Sequence, residues 1–118
     1  MRLVALLAAL AVGAPIAHAK PRPPSRMQVT ASEFEFVVSR AKLRQGRAIV
    51  ELVNLGEDPH DLALRRTARG ARTHSTPEVL PGGERTISLR LYPGRYQLWC
   101  TIADHRARGM RATLTVTK

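Results

Sequence analysis

Gly94-Arg95-Tyr96-Gln97-Leu98-Trp99-Cys100-Thr101-Ile102-Ala103-Asp104-His105-Arg106-Ala107-Arg108-Gly109-Met110-Arg111-Ala112-Thr113-Leu114-Thr115-Val116 holds two runs of alternating polarity with a loop between them. Tyr96, Leu98 and Cys100 alternate with Arg95, Gln97 and Trp99; Ala112, Leu114 and Val116 alternate with Arg111, Thr113, Thr115 and Thr117. A period of two puts alternate side chains on one face of an extended chain, so each run predicts a strand with one face buried. Cys100 shares the parity of Tyr96 and Leu98, which points its thiol inward where the strand meets the loop.

The same period recurs upstream. Met27, Val29 and Ala31 alternate with Gln28, Thr30 and Ser32, and Phe34, Phe36 and Val38 form a second short extended piece. Arg47 to Asn54 predicts a strand, Asp61 to Leu64 another, and Ile87, Leu89 and Leu91 a further one. Turn signals separate them at Gln45-Gly46, Leu55-Gly56, Pro81-Gly82-Gly83 and Pro93-Gly94. Arg65 to Leu80 reads as one long connection. With no long helical period and no repeat, the expectation is all-β: a β-sandwich or small barrel.

The 118 residues divide into three parts. Residues 1–19 predict a cleavable signal peptide: Arg2 as the charged start, an apolar run from Leu3, and Ala17-His18-Ala19 as the cleavage site. The run is short for a membrane span, which needs about 20 residues. Residues 20–26 (Lys-Pro-Arg-Pro-Pro-Ser-Arg) predict an extended, proline-rich basic tether. Residues 27–118 form the single folded domain. Without Arg2 the chain keeps 18 Lys+Arg against 9 Asp+Glu, a net +9 that favours acidic proteins or an anionic membrane surface as partners. Five aromatic residues, not interleaved with the cations, give no basis for specific nucleic-acid binding.

Export implies an oxidising compartment, the periplasm or its equivalent. Cys100 is the one cysteine, so no internal disulfide can form; it is a free thiol, an intermolecular bridge or a metal ligand. Its surroundings favour the last. His105 and Met110 follow with four residues between successive members, and His60 lies upstream. Two imidazoles, a thiolate and a weak thioether are the donor set of a blue-copper electron-transfer site. A binuclear centre would need a second cysteine. A catalytic second copper would need more histidines than His74, which is expected in solvent. A Cys100 nucleophile with His105 as base lacks a third orienting group.

The chain resembles the cupredoxins, the small blue copper proteins, from about Met27 to Lys118. The resemblance rests on Asn54-Leu55-Gly56 through His60-Asp61, Pro81-Gly82-Gly83, Pro93-Gly94-Arg95-Tyr96-Gln97-Leu98-Trp99-Cys100 and Met110-Arg111-Ala112-Thr113-Leu114-Thr115-Val116. It implies a Greek-key β-sandwich with one mononuclear type 1 copper at one end. His60, Cys100 and His105 would be strong ligands and Met110 the weak axial one. Two departures stand out: Asp61 replaces the asparagine common after the first histidine, and Ala103-Asp104 replaces the Pro-Gly common before the second. Asp61 could still bond across to Thr101.

The expected function is therefore one-electron transfer by an exported, monomeric, non-enzymatic copper protein. His105 would be the electron port, and Arg106, Arg108 and Arg111 would steer an acidic redox partner. Copper storage or delivery through the same ligands is the alternative. A metal-free module binding polyanions through Arg65 to Arg72 is a third reading.

Overall fold

The computed structural model describes residues 4, 5 and 8–118. Residues 1–3, 6 and 7, with part of the expected signal peptide, lie outside the described residues. Residues 8–24 hold no strand or helix, and Leu10, Val12 and Ile16 are exposed.

Nine strands follow: β1 (Ser25–Ser32), β2 (Glu35–Val38), β3 (Lys42–Arg44), β4 (Gly46–Asn54), β5 (Ala63–Arg66), β6 (Thr73–Ser75), β7 (Glu84–Leu91), β8 (Gly94–Trp99) and β9 (Arg111–Thr117). They form two sheets, ordered β2-β1-β4-β7 and β3-β9-β8-β5-β6. Both sheets are mixed, because β1 runs parallel to β4 and β3 parallel to β9. The all-β expectation is met.

The alternating residues account for the sandwich. Met27, Val29 and Ala31 of β1, Ala48, Val50 and Leu52 of β4, and Ile87 and Leu91 of β7 turn one inner face toward Leu64, Tyr96, Leu98, Leu114 and Val116 of the other sheet. Burying a leucine or valine side chain contributes about 1.5–3 kcal/mol, so this shared core is the main favourable term holding the sheets together. No core residue precedes Met27 among the described residues. The Tyr96 hydroxyl accepts the Tyr92 N–H at 3.0 Å, which fixes the β7–β8 turn.

Three boundaries differ from the sequence reading, and β3 lies where no strand was expected. β1 starts at Ser25, taking in the last two residues of the expected tether. The Arg65–Leu80 connection contains a short edge strand, β6, paired with β5. The strand expected over Asp61–Leu64 begins at Ala63 instead. Leu62, Ala63 and Leu64 are all buried, so alternation fails there; the Leu62 N–H also turns aside to the Thr76 hydroxyl at 3.1 Å.

The strand directions give the molecule two distinct ends. Ser32, Asn54 and Trp99 finish their strands at one end, and Arg111 begins β9 there. Ser25 begins β1, Gly46 begins β4 and Thr117 finishes β9 at the other; Gly46 pairs with Leu91, and the Gln45 N–H reaches the Thr117 carbonyl.

Candidate metal centre

Asn54, the last residue of β4, organises the approach to the site. It is buried and fully bonded: Nδ2 donates to the carbonyls of Asp58 (2.8 Å) and Val79 (2.9 Å), and Oδ1 accepts the Gly56 N–H (2.9 Å). These bonds replace strand pairing along residues 55–59. His60 then pairs with Val79 in an isolated bridge, each N–H meeting the other's carbonyl. The first histidine is thus held by a bridge upstream of β5.

The segment between β8 and β9 closes on itself. The Cys100 N–H donates to the Met110 carbonyl (3.1 Å), and the Met110 N–H to the His105 carbonyl (3.1 Å). Gly109 adopts φ +126°, and a Cβ there would lie 2.9 Å from the Phe34 carbonyl oxygen, so glycine is required on both counts. Ala103 carries φ 45°, a left-handed conformation that a side chain disfavours.

These two segments bring His60, Cys100 and His105 together. Their donor atoms all lie within 4.8 Å of one another and all three residues are buried. His60 Nδ1 is 3.3 Å from His105 Nδ1, and Cys100 Sγ is 3.6 Å from the same atom. Met110 is fully buried at the loop's end. His74 is elsewhere, on β6 opposite Leu64; it is half-buried, and burial with Arg72 nearby lowers its pKa.

The surroundings decide which atoms are free to bind. Glu33 Oε1 lies 2.9 Å from His60 Nε2. A carboxylate only accepts, so Nε2 carries the proton and the Nδ1 lone pair faces the cluster. The same oxygen accepts the N–H groups of Asp58 (2.8 Å) and Glu57 (2.9 Å). The Asp58 bond, against partial desolvation and assisted by His60 and Glu57, holds the Glu33 pKa down at about 2. Gly56 is the neighbour that leaves room for this carboxylate: any Cβ there would overlap it. Burial pushes the Cys100 thiol up, a cost that metal coordination removes by taking the thiolate.

Asp61, the departure noted in the sequence, bridges to the other segment. Its carboxylate accepts the Thr101 N–H at 2.6 Å and also the Thr101 hydroxyl. Above the cluster the Phe34 and His105 rings lie 5.0 Å apart, and the Arg108 guanidinium covers Phe34 at 3.7 Å. Arg106 covers Trp99 at 4.7 Å. Sequence reasoning missed Glu33 and Phe34. Their short hairpin between β1 and β2 gives no sign that it folds over the metal end.

The donor set fits one thiophilic metal ion with nitrogen and sulfur ligands, and copper matches it. No family model and no curated protein matches the sequence. Solved structures do match the fold. An auracyanin from the photosynthetic bacterium Roseiflexus castenholzii superposes with a TM-score of 0.66 at 18% identity, covering 83% of this chain and 100% of that one. Auracyanin A, a "blue" copper protein of the green thermophilic photosynthetic bacterium Chloroflexus aurantiacus, gives 0.65 at 13%, covering 80% and 100%. An amicyanin gives 0.55 at 17%, covering 76% and 80%. The architecture is the cupredoxin fold, the fold that the Cys100–Met110 segment implied. On that fold the buried His60-Cys100-His105 cluster could hold a copper ion.

Proposed function

We propose that this protein is an exported one-electron carrier working through a single copper ion. His60, Cys100 and His105 would bind it as strong ligands, with Met110 as the weak axial donor. The observation that carries the reading is the buried cluster of two imidazole nitrogens and one sulfur within 4.8 Å. Copper supplies the one-electron couple. The chain supplies a fixed cage: the isolated bridge holds His60, Glu33 sets its tautomer, and the Asp61–Thr101 bonds tie the two ligand-bearing segments together. A cage held from several sides rearranges little when the charge of its occupant changes, which favours electron transfer over copper release.

His105, at 7% exposure, is the member of the cluster nearest solvent; His60 is at 0% and Cys100 at 1%. It is the natural electron port. Arg106, Arg108 and Arg111 surround it, exposed, and suit an acidic redox partner. With such a partner, transfer should slow as salt rises, because exposed attraction is screened over about 10 Å at 0.1 M.

Copper analysis with visible spectroscopy tests the reading. One copper per chain with an intense thiolate-to-copper band is expected, and Cys100→Ser should remove the band. A wild-type protein that takes up no stoichiometric copper would end it. Copper that exchanges rapidly with a chelator would point to storage or delivery.

A further inference from the structure

The acidic residues are confined to one part of the fold. Residues 20–26, 40–48, 66–72, 89–95 and 115–118 meet at the end of the sandwich opposite the metal cluster. Together they carry thirteen Lys+Arg and no Asp or Glu; all nine acidic residues lie outside them. Arg26, Arg40, Lys42, Arg44, Arg47 and Arg90 are exposed. Among the described residues no lysine or arginine is ion-paired with a carboxylate.

A second observation shows that these charges are crowded. Arg47 and Arg90 are directly opposite in the β4–β7 ladder, an arrangement that destabilises a sheet unless an anion lies between. A concave surface of about 220 Å³ beside them is lined by Arg22, Arg44, Arg47 and Arg90, with Pro21 and Pro23 on its wall. The tether therefore emerges at this end.

We propose that this cationic end docks on the anionic headgroups of a lipid bilayer. The match is of charge and shape. The guanidiniums are spread over several strand ends, as a headgroup layer requires, and each can take a phosphate through paired N–H donors. The basic tether leaves from the same end and adds Lys20 and Arg22 to it, a broad spread of cations that suits the extended charge of a bilayer surface. Docked this way, the protein presents its metal end, with His105, away from the lipid, where a redox partner can reach it.

The experiment uses the chain from Lys20, which contains every core residue among those described. It is mixed with vesicles of phosphatidylcholine alone or with phosphatidylglycerol. Binding should require phosphatidylglycerol and weaken with salt. Each cation near an anionic surface is worth about fivefold in partition. The triple variant Arg40→Glu/Arg44→Glu/Arg47→Glu should therefore lose roughly a hundredfold or more. The control Arg106→Glu/Arg108→Glu/Arg111→Glu makes the same change of net charge at the metal end and should lose far less. The corresponding glutamine variants, compared by circular dichroism, separate lost binding from lost fold. Trp99, the one tryptophan, lies at the metal end, so brominated lipid should leave its fluorescence unquenched. Equal losses in the two triple variants, quenching of Trp99, or no binding to phosphatidylglycerol vesicles would overturn the proposal. Tighter binding of duplex DNA than of vesicles through the same arginines would replace the bilayer with a polyanion. None of these results bears on whether the cluster holds copper.

Discussion

Asp61 and Thr101 are joined by two hydrogen bonds, one to the backbone and one to the side chain, so the residue after His60 is clasped to the residue after Cys100. The two segments come from different parts of the chain. The clasp is therefore a long-range constraint on the geometry of the cluster.

Removing it with Asp61→Ala should destabilise the fold by about 2–3 kcal/mol, the scale of hydrogen bonds to a charged group. Asp61→Asn can keep one acceptor and should lose less. Both remove a negative charge beside the cluster, which should raise the reduction potential of the copper-loaded protein. Urea titration and voltammetry together check the two effects; a potential that falls in both variants would contradict this account.

Ala103 stands with φ 45° in a loop that holds the second histidine. A left-handed alanine costs about 1–2 kcal/mol, partly offset by the greater freedom that glycine gives the unfolded chain. Ala103→Gly should consequently stabilise the protein by about 0.5–1 kcal/mol, seen as a higher midpoint in urea with an unchanged slope.

Glu33 has its folded pKa depressed to about 2 by the N–H of Asp58 and by His60 and Glu57. The sign follows from linkage. A carboxylate whose pKa is lower in the folded state contributes stability that is complete above its unfolded value, near 4.5, and is lost as pH falls toward 2. Metal-free wild type should therefore lose stability across that window more steeply than Glu33→Gln, as measured by urea midpoints between pH 5 and 2. Parallel curves would show that Glu33 contributes no linked protons.

Met110 is buried at the end of the loop and is the weakest donor of the proposed set. Met110→Leu should keep copper and colour and raise the potential, because losing an axial donor disfavours Cu(II) more than Cu(I). Met110→Gln supplies an oxygen and should lower it. If neither variant changes potential or spectrum, Met110 is a packing residue.

The sandwich was legible because the long strands obey a period of two: Val50 and Leu52, Tyr96 and Leu98, and Leu114 and Val116 all face inward. The cluster was legible because two of its three members, Cys100 and His105, sit on one short loop. The shorter elements were less so. Three residues of β3 or β6 cannot display a period, and their pairing partners are far away in sequence. Leu62 to Leu64 are buried in succession, which hid the true start of β5. Glu33 was invisible for another reason. Its partners His60, Glu57 and Asp58 lie 24 to 27 residues away, and only the β1–β2 hairpin brings them within reach.

The burial of Cys100 has a practical consequence. At 1% exposure the sulfur cannot meet a bulky reagent or a second thiol without an opening of the surrounding structure. The emptied protein is thus sheltered from dimerising through oxidation. Since no other cysteine competes for label, the rate at which a thiol-reactive dye marks the chain becomes a clock for that opening, one against which any variant described above that keeps Cys100 can be timed.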